Sequence, residues 1–117
     1  MRISLFLLLA FALPVACGGG DAGTPGASIA VYKYAGSVQC TGGGMSLADM
    51  DRQLADAGIK VISSACGFDG KLYPTVCGGG DGRIGIFEVA QTQTQAASKI
   101  GFALLSDLPA ATKTSCS

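Results

Sequence analysis

The chain has 117 residues, enough for one small domain and too few for two. Its eight basic and eight acidic side chains cancel, and no basic stripe runs along it, so nucleic acid is not an expected partner. Histidine is absent, which excludes every Ser-His, Cys-His and His-metal arrangement, and the missing tryptophan lowers the case for sugar-stacking surfaces.

Residues 1–16 open on the amino terminus and Arg2 and continue through Ile3, Leu5, Phe6, Leu7, Leu8, Leu9, Phe11 and Leu13. An apolar run of about 14 residues is too short for a bilayer that needs about 20, and it has the form of a signal-peptide core. Ser4 alone interrupts it, so it lacks the polar face of a buried amphipathic helix.

The run ends in Leu13-Pro14-Val15-Ala16-Cys17-Gly18. This stretch resembles the lipobox of bacterial lipoproteins, with Pro14 where that family usually carries leucine. The resemblance implies cleavage before Cys17 and transfer of a diacylglycerol to its thiol, a strong nucleophile as the thiolate. It further implies acyl chains such as palmitate, a bilayer as the first partner and, in a Gram-negative cell, with Gly18 rather than aspartate next, the periplasmic face of the outer membrane. Two or more chains hold a protein firmly, at about 0.8 kcal/mol per buried CH₂. Loss of Arg2 leaves seven basic against eight acidic side chains, a mature charge of −1. Residues 17–27 then form the lipidated terminus and a glycine-rich tether, GGGDAGTPGA after Cys17, and residues 28–117 remain for one domain.

The cysteine count agrees with export. Five cysteines leave one without a partner; assigning Cys17 to lipid leaves the even set Cys40, Cys66, Cys77 and Cys116 for two disulfides.

Within the domain the sequence repeats in character. Ile29 to Ala35 (IAVYKYA) aligns with Ile84 to Ala90 (IGIFEVA), both β-branched and aromatic, hence strands. Ala57 to Ser63 (AGIKVIS) aligns with Ile100 to Ser106 (IGFALLS): a helix end, a glycine suited to a left-handed cap, then an apolar strand. Ser46 with Asp49 reads as a capping box opening a first helix with Leu47, Met50 and Leu54 on its apolar face. A weaker helix is expected from about Thr94 to Ile100, with Ala96, Ala97 and Ile100 inward.

Strand-helix-strand twice over resembles the ferredoxin-like arrangement, an α+β fold with a four-stranded antiparallel sheet and both helices on one face. In that topology Cys40 and Cys66 follow the first two strands and Cys77 precedes the third at the same edge. This favours Cys66–Cys77 with Cys40–Cys116, the latter if the tail after Pro109 turns back; the other two pairings stay open.

Cys66 to Cys77 (CGFDGKLYPTVC) resembles a segment of the Kazal protease-inhibitor family, whose pattern is CGxDGxxYxxxC. The likeness spans 12 residues and lacks the further cysteines of that family. It implies, as an alternative, a protease inhibitor. The residues themselves read as a hairpin turning at Asp69-Gly70 and clamped by its flanking cysteines.

The thiols lack the C-x-x-C spacing of zinc sites, and the few carboxylates near Asp69 and Asp81 do not make a calcium loop, so no metal or cofactor is expected. Thr41 to Gly44 (TGGG) precedes a helix without the lysine and serine of a phosphate-binding loop. Asp49 and Asp56 are too far apart for a carboxylate pair, and Ser63, Ser64 and Ser106 have no suitable base nearby, so no catalytic residue is assigned; an enzyme of unknown class is a further alternative. The expected function is a membrane-anchored, extracytoplasmic, non-catalytic binding or structural module. Its contact surface would be the loops 36–45 and 67–82, with Phe68 and Tyr73 meeting another envelope protein.

Overall fold

In the computed structural model, which describes residues 26–116, β1 (Ser28–Tyr34) lies near the middle of a five-stranded antiparallel sheet. The leader, Cys17 and most of the tether lie outside the described residues. After β1 come α1 (Leu47–Asp56), β2 (Val61–Phe68), β3 (Arg83–Ala90), α2 (Thr94–Lys99), β4 (Ala103–Leu104) and β5 (Thr112–Thr114). The strand order is β4-β1-β3-β2-β5. β3 pairs with β1 from Ser28↔Ala90 to Tyr34↔Ile84 and with β2 from Val61↔Val89 to Phe68↔Arg83.

The period-two pattern of β3 explains why it is central. Phe87 and Val89 face one side, where they join Val31, Met50 and Leu54 of α1, Ile59, Ala97 of α2 and Phe102 in a single core. Both helices therefore bury side chains against the same face. Ile84 and Ile86 face the other side and pack with Leu108, flanked by Ala30, Tyr32, Leu105 and Ala111. A bulge between Val61 and Ser63 turns Ile62 out to solvent.

The helix ends follow their sequence signals. The Ser46 hydroxyl accepts from the Asp49 N–H at 3.0 Å, capping α1. Gly58 and Gly101, which end the two helices, adopt φ of +78° and +94°. Lys33 projects between the helices. It donates to Gln53 Oε1 and to the Ile100 carbonyl at the end of α2, where a cation meets the helix dipole favourably, and its Nζ lies 5.1 Å from the centre of the Phe102 ring.

Four expectations are corrected. The sheet has five strands, not four, because the tail returns and lays β5 on β2. The last apolar run, expected as a full strand, pairs over two residues only; Leu105–Asp107 then coils into a 3₁₀ turn. The chain next carries Leu108 beneath the sheet, from the β4 edge to the β5 edge. In α2 the inward residue is Ala97, while Ala96 faces solvent.

The fourth correction is the disulfide pairing. Cys40 bonds Cys77 and Cys66 bonds Cys116, in place of Cys66–Cys77 with Cys40–Cys116. β2 runs past Cys66 to Phe68, so Cys66 sits inside a strand opposite Thr114, and β5 delivers Cys116 to it. Cys77 belongs to a long loop that folds over the β1–α1 connection and meets Cys40 there. Among the described residues, no helix is long and apolar enough to cross a membrane.

Candidate functional site

The carboxyl ends of β1 and β2 and the amino end of β3 share one pole of the sheet. Two connections emerge there: residues 35–46 before α1, and residues 69–82 between β2 and β3. Both are glycine-rich, so their shape depends on a few polar anchors.

The first anchor is Asp69. Its side chain is buried, and its carboxylate accepts from Tyr34 Oη at 3.0 Å, from the Lys71 backbone N–H at 2.9 Å and from Tyr73 Oη. Its own N–H donates to the Gly82 carbonyl, closing the base of the loop. Burial pushes the carboxyl pKa up. The hydrogen bonds from Tyr73, the Lys71 backbone and Tyr34, with the Lys71 charge, outweigh that and hold it below the ordinary carboxylate value. Tyr73 is raised, first by its hydrogen bond to Asp69 and then by burial; Tyr34 is raised first by burial and then by Asp69. Gly82 permits this closeness: a Cβ there would stand 2.7 Å from both Asp69 Oδ1 and the Tyr73 ring.

The second anchor is Gln39. Its side-chain amide donates to the carbonyls of Pro74 (2.8 Å) and Gly80 (3.1 Å), and its Oε1 accepts from the Val76 N–H. Its main chain exchanges bonds with Gly79 and Gly78. The Cys40–Cys77 disulfide fixes the same two loops one residue further on. Cys40 sits at φ +76° in the tight turn closed by Val38 and Gly42, which exchange both backbone hydrogen bonds.

The third anchor is Asp81, which accepts from Ser37 Oγ at 2.8 Å and the Arg83 N–H at 3.0 Å, and lies 3.5 Å from Arg83 Nε. The Arg83 guanidinium stacks 5.6 Å from the centre of the Phe68 ring.

Beside these loops opens a cavity of about 900 Å³ between the start of α1 and the β2–β5 edge. Met45, Leu47, Met50 and Gly85 line it on the sheet and helix side, together with Phe68, Asp81 and Arg83. Among the described residues, no three Cys, Asp or Glu side chains converge in a metal-binding group.

The two side chains read from sequence as contacts have defined positions. Phe68 is half-buried against Arg83, and Tyr73 is 37% exposed with its hydroxyl engaged by Asp69. Their neighbours Leu72, fully exposed, and Val76, 54% exposed, are the exposed aliphatic side chains of this loop. Nothing local in the sequence marks these two, because their exposure depends on the distant Gln39 and Cys40. The Cys66–Cys77 clamped hairpin is not formed. Asp69-Gly70 does turn, with Gly70 at φ +79°, yet it begins a 14-residue connection, 69–82, rather than closing a two-residue hairpin. Residues 41–44 form a loop in which Gly42, Gly43 and Gly44 all adopt positive φ. Comparison with protein-family models, curated proteins and solved structures finds no match.

Proposed function

We propose that this chain is an exported lipoprotein, anchored through acylated Cys17, whose small domain is a non-catalytic binding module presenting its loop pole to another envelope protein. The observation that carries this reading is the braced apolar loop: Leu72 and Val76 project into solvent from a backbone held by Asp69, Gln39 and the Cys40–Cys77 bond. Exposed apolar side chains on a rigid backbone lose little conformational freedom on binding, which favours association. Polarity supports the same reading. The chain enters the sheet at Ser28, while the loops follow Tyr34; seven residues at about 3.3 Å each separate the two ends by about 20 Å. A tether leaving from Ser28 leaves the loop pole facing away from the anchoring bilayer. Two disulfides accord with an oxidising compartment outside the cytosol.

The domain itself we infer to be a ferredoxin-like duplication extended by β5. The strand order β4-β1-β3-β2, the shared helix face and the matching glycine caps Gly58 and Gly101 support it.

A photocrosslinking residue at position 72 in intact cells tests the binding module. It should give one defined adduct, lost when Val76 becomes aspartate, while the same group at Lys99 gives none. Equal adducts from both positions would contradict the reading. The exposure of Leu72 on a braced loop also favours a second reading, protease inhibition. Stoichiometric loss of activity on mixing with a serine protease would support that one instead.

A further inference from the structure

The cavity shares loop 36–45 and Phe68 with the loop pole, whereas Leu72 and Val76, on which the protein-binding reading rests, do not line it. We propose that it binds an amphipathic carboxylate, a molecule with one anionic head and an apolar body of the size of a medium-chain fatty acid. At about 900 Å³ it lies within the range of small-molecule sites, and such sites pair an apolar lining with a few placed polar groups. The body would lie along Met45 and Leu47 and the backbone of Gly42 to Gly44, with the buried Met50 packed behind them on Gly85. At Gly85 a Cβ would come 2.5 Å from Met50 Sδ and 3.1 Å from Leu47 Cδ1, so the bare backbone lets the apolar wall settle on the sheet.

The charge at the rim selects the head group. Arg83 is held on one side by the Phe68 ring and on the other, through Nε, by Asp81. Arg83 lines the cavity, and among the described residues its guanidinium makes no other ion pair, which leaves its terminal nitrogens available to an anion. A planar fork whose position is already fixed suits a carboxylate. Asp81 also lines the cavity; its carboxylate is engaged by Ser37 Oγ, the Arg83 N–H and Arg83 Nε, which reduces its repulsion of an anion without removing it. Two residues along β3, about 7 Å away, Gly85 lies against Leu47, which begins α1, and the first turn of that helix (Leu47, Ala48) lines the same cavity. The amide N–H groups at a helix start add to the preference for negative charge. Asp49, the acidic residue of that turn, is not among the lining residues and pairs with Arg52.

The test is titration of the full-length oxidised chain with dodecanoate, below its micelle concentration, followed by calorimetry. Dodecanol serves as the uncharged control. Ala48→Trp fills the cavity from an exposed helix position, and Arg83→Gln removes the charge. Dodecanoate should bind saturably and at least tenfold more tightly than dodecanol. Ala48→Trp should abolish the saturable component, which separates cavity binding from any uptake by the leader. Arg83→Gln should weaken dodecanoate about tenfold and leave dodecanol unchanged. Thermal melts of both variants check that the fold persists. Binding that survives Ala48→Trp, dodecanol binding as tight as dodecanoate, or no saturable binding would each overturn the proposal.

Discussion

Replacing Asp69 by alanine removes the acceptor on which three donors converge: the two tyrosine hydroxyls and the Lys71 N–H. A hydrogen bond to a charged group contributes about 1.5–3 kcal/mol, and three would sum to about 4.5–9. Two facts of the structure reduce this. Tyr34 and Tyr73 are 39% and 37% exposed, so water replaces part of what they lose. The variant also no longer buries a carboxylate. The expected net loss is about 2–4 kcal/mol, read as a lower urea midpoint under oxidising conditions with an unchanged m-value. Asp69→Asn, which keeps the shape and one acceptor, should lose about half as much. The same cluster predicts a pH profile. Asp69 ionises below its unfolded value of about 3.9, so its contribution is complete above that pH and is lost as the pH falls through the folded value. Tyr34 and Tyr73 ionise above their unfolded value of about 10, so theirs is complete below pH 10 and is lost as the pH rises through the folded values. Tyrosinate absorbance near 295 nm follows the alkaline limb directly. A loss below about 1 kcal/mol in Asp69→Ala, or unchanged tyrosine ionisation in Asp69→Asn, would refute this account of the loop.

The remaining predictions concern the staples, the sheet floor and the helix cap. Removing Cys66–Cys116 opens a link across 50 residues and removing Cys40–Cys77 one across 37, each about 4 kcal/mol by loop closure, so either double alanine variant should melt well below the parent. Non-reducing peptide mapping should join the Cys40 peptide to that of Cys77; a Cys66–Cys77 peptide would contradict the topology. Gly85→Ala places a methyl against Met50, Phe87 and Leu47 and should destabilise by about 1–3 kcal/mol in denaturant titration. Ser46→Ala removes the cap on Asp49 N–H and should cost about 1 kcal/mol by the same assay, without altering the cavity rim at Arg83.

Local chemistry accounts for what the sequence revealed. β1, β3 and α1 carry dense periodic apolar patterns, and Ser46, Gly58 and Gly101 mark helix ends by a backbone need that few residues meet. β5 was invisible because Thr112-Lys113-Thr114 is polar and short; only its pairing with β2 makes it a strand. That omission also misled the cysteine assignment. A four-stranded topology places Cys66 past the end of its strand at the edge that Cys77 reaches; β2 instead continues to Phe68, and β5 brings Cys116 to Cys66. The site was half legible. The glycine-rich loops and the aromatic pair Phe68 and Tyr73 are legible in the sequence, and the structure gathers them at one pole of the sheet. Gln39, Leu72 and Arg83 escaped because their roles arise from contacts between distant segments: Gln39 reaches across 35 to 41 residues to Pro74, Val76 and Gly80.

The most direct test of export, anchoring and disulfide stapling together is the intact mass of the protein extracted from its native membrane. The account predicts a chain beginning at Cys17, heavier by a diacylglycerol-based modification, and lighter by the four hydrogens lost in forming two disulfides. A soluble species that keeps Met1 and carries five reducible-agent-independent free thiols would contradict it.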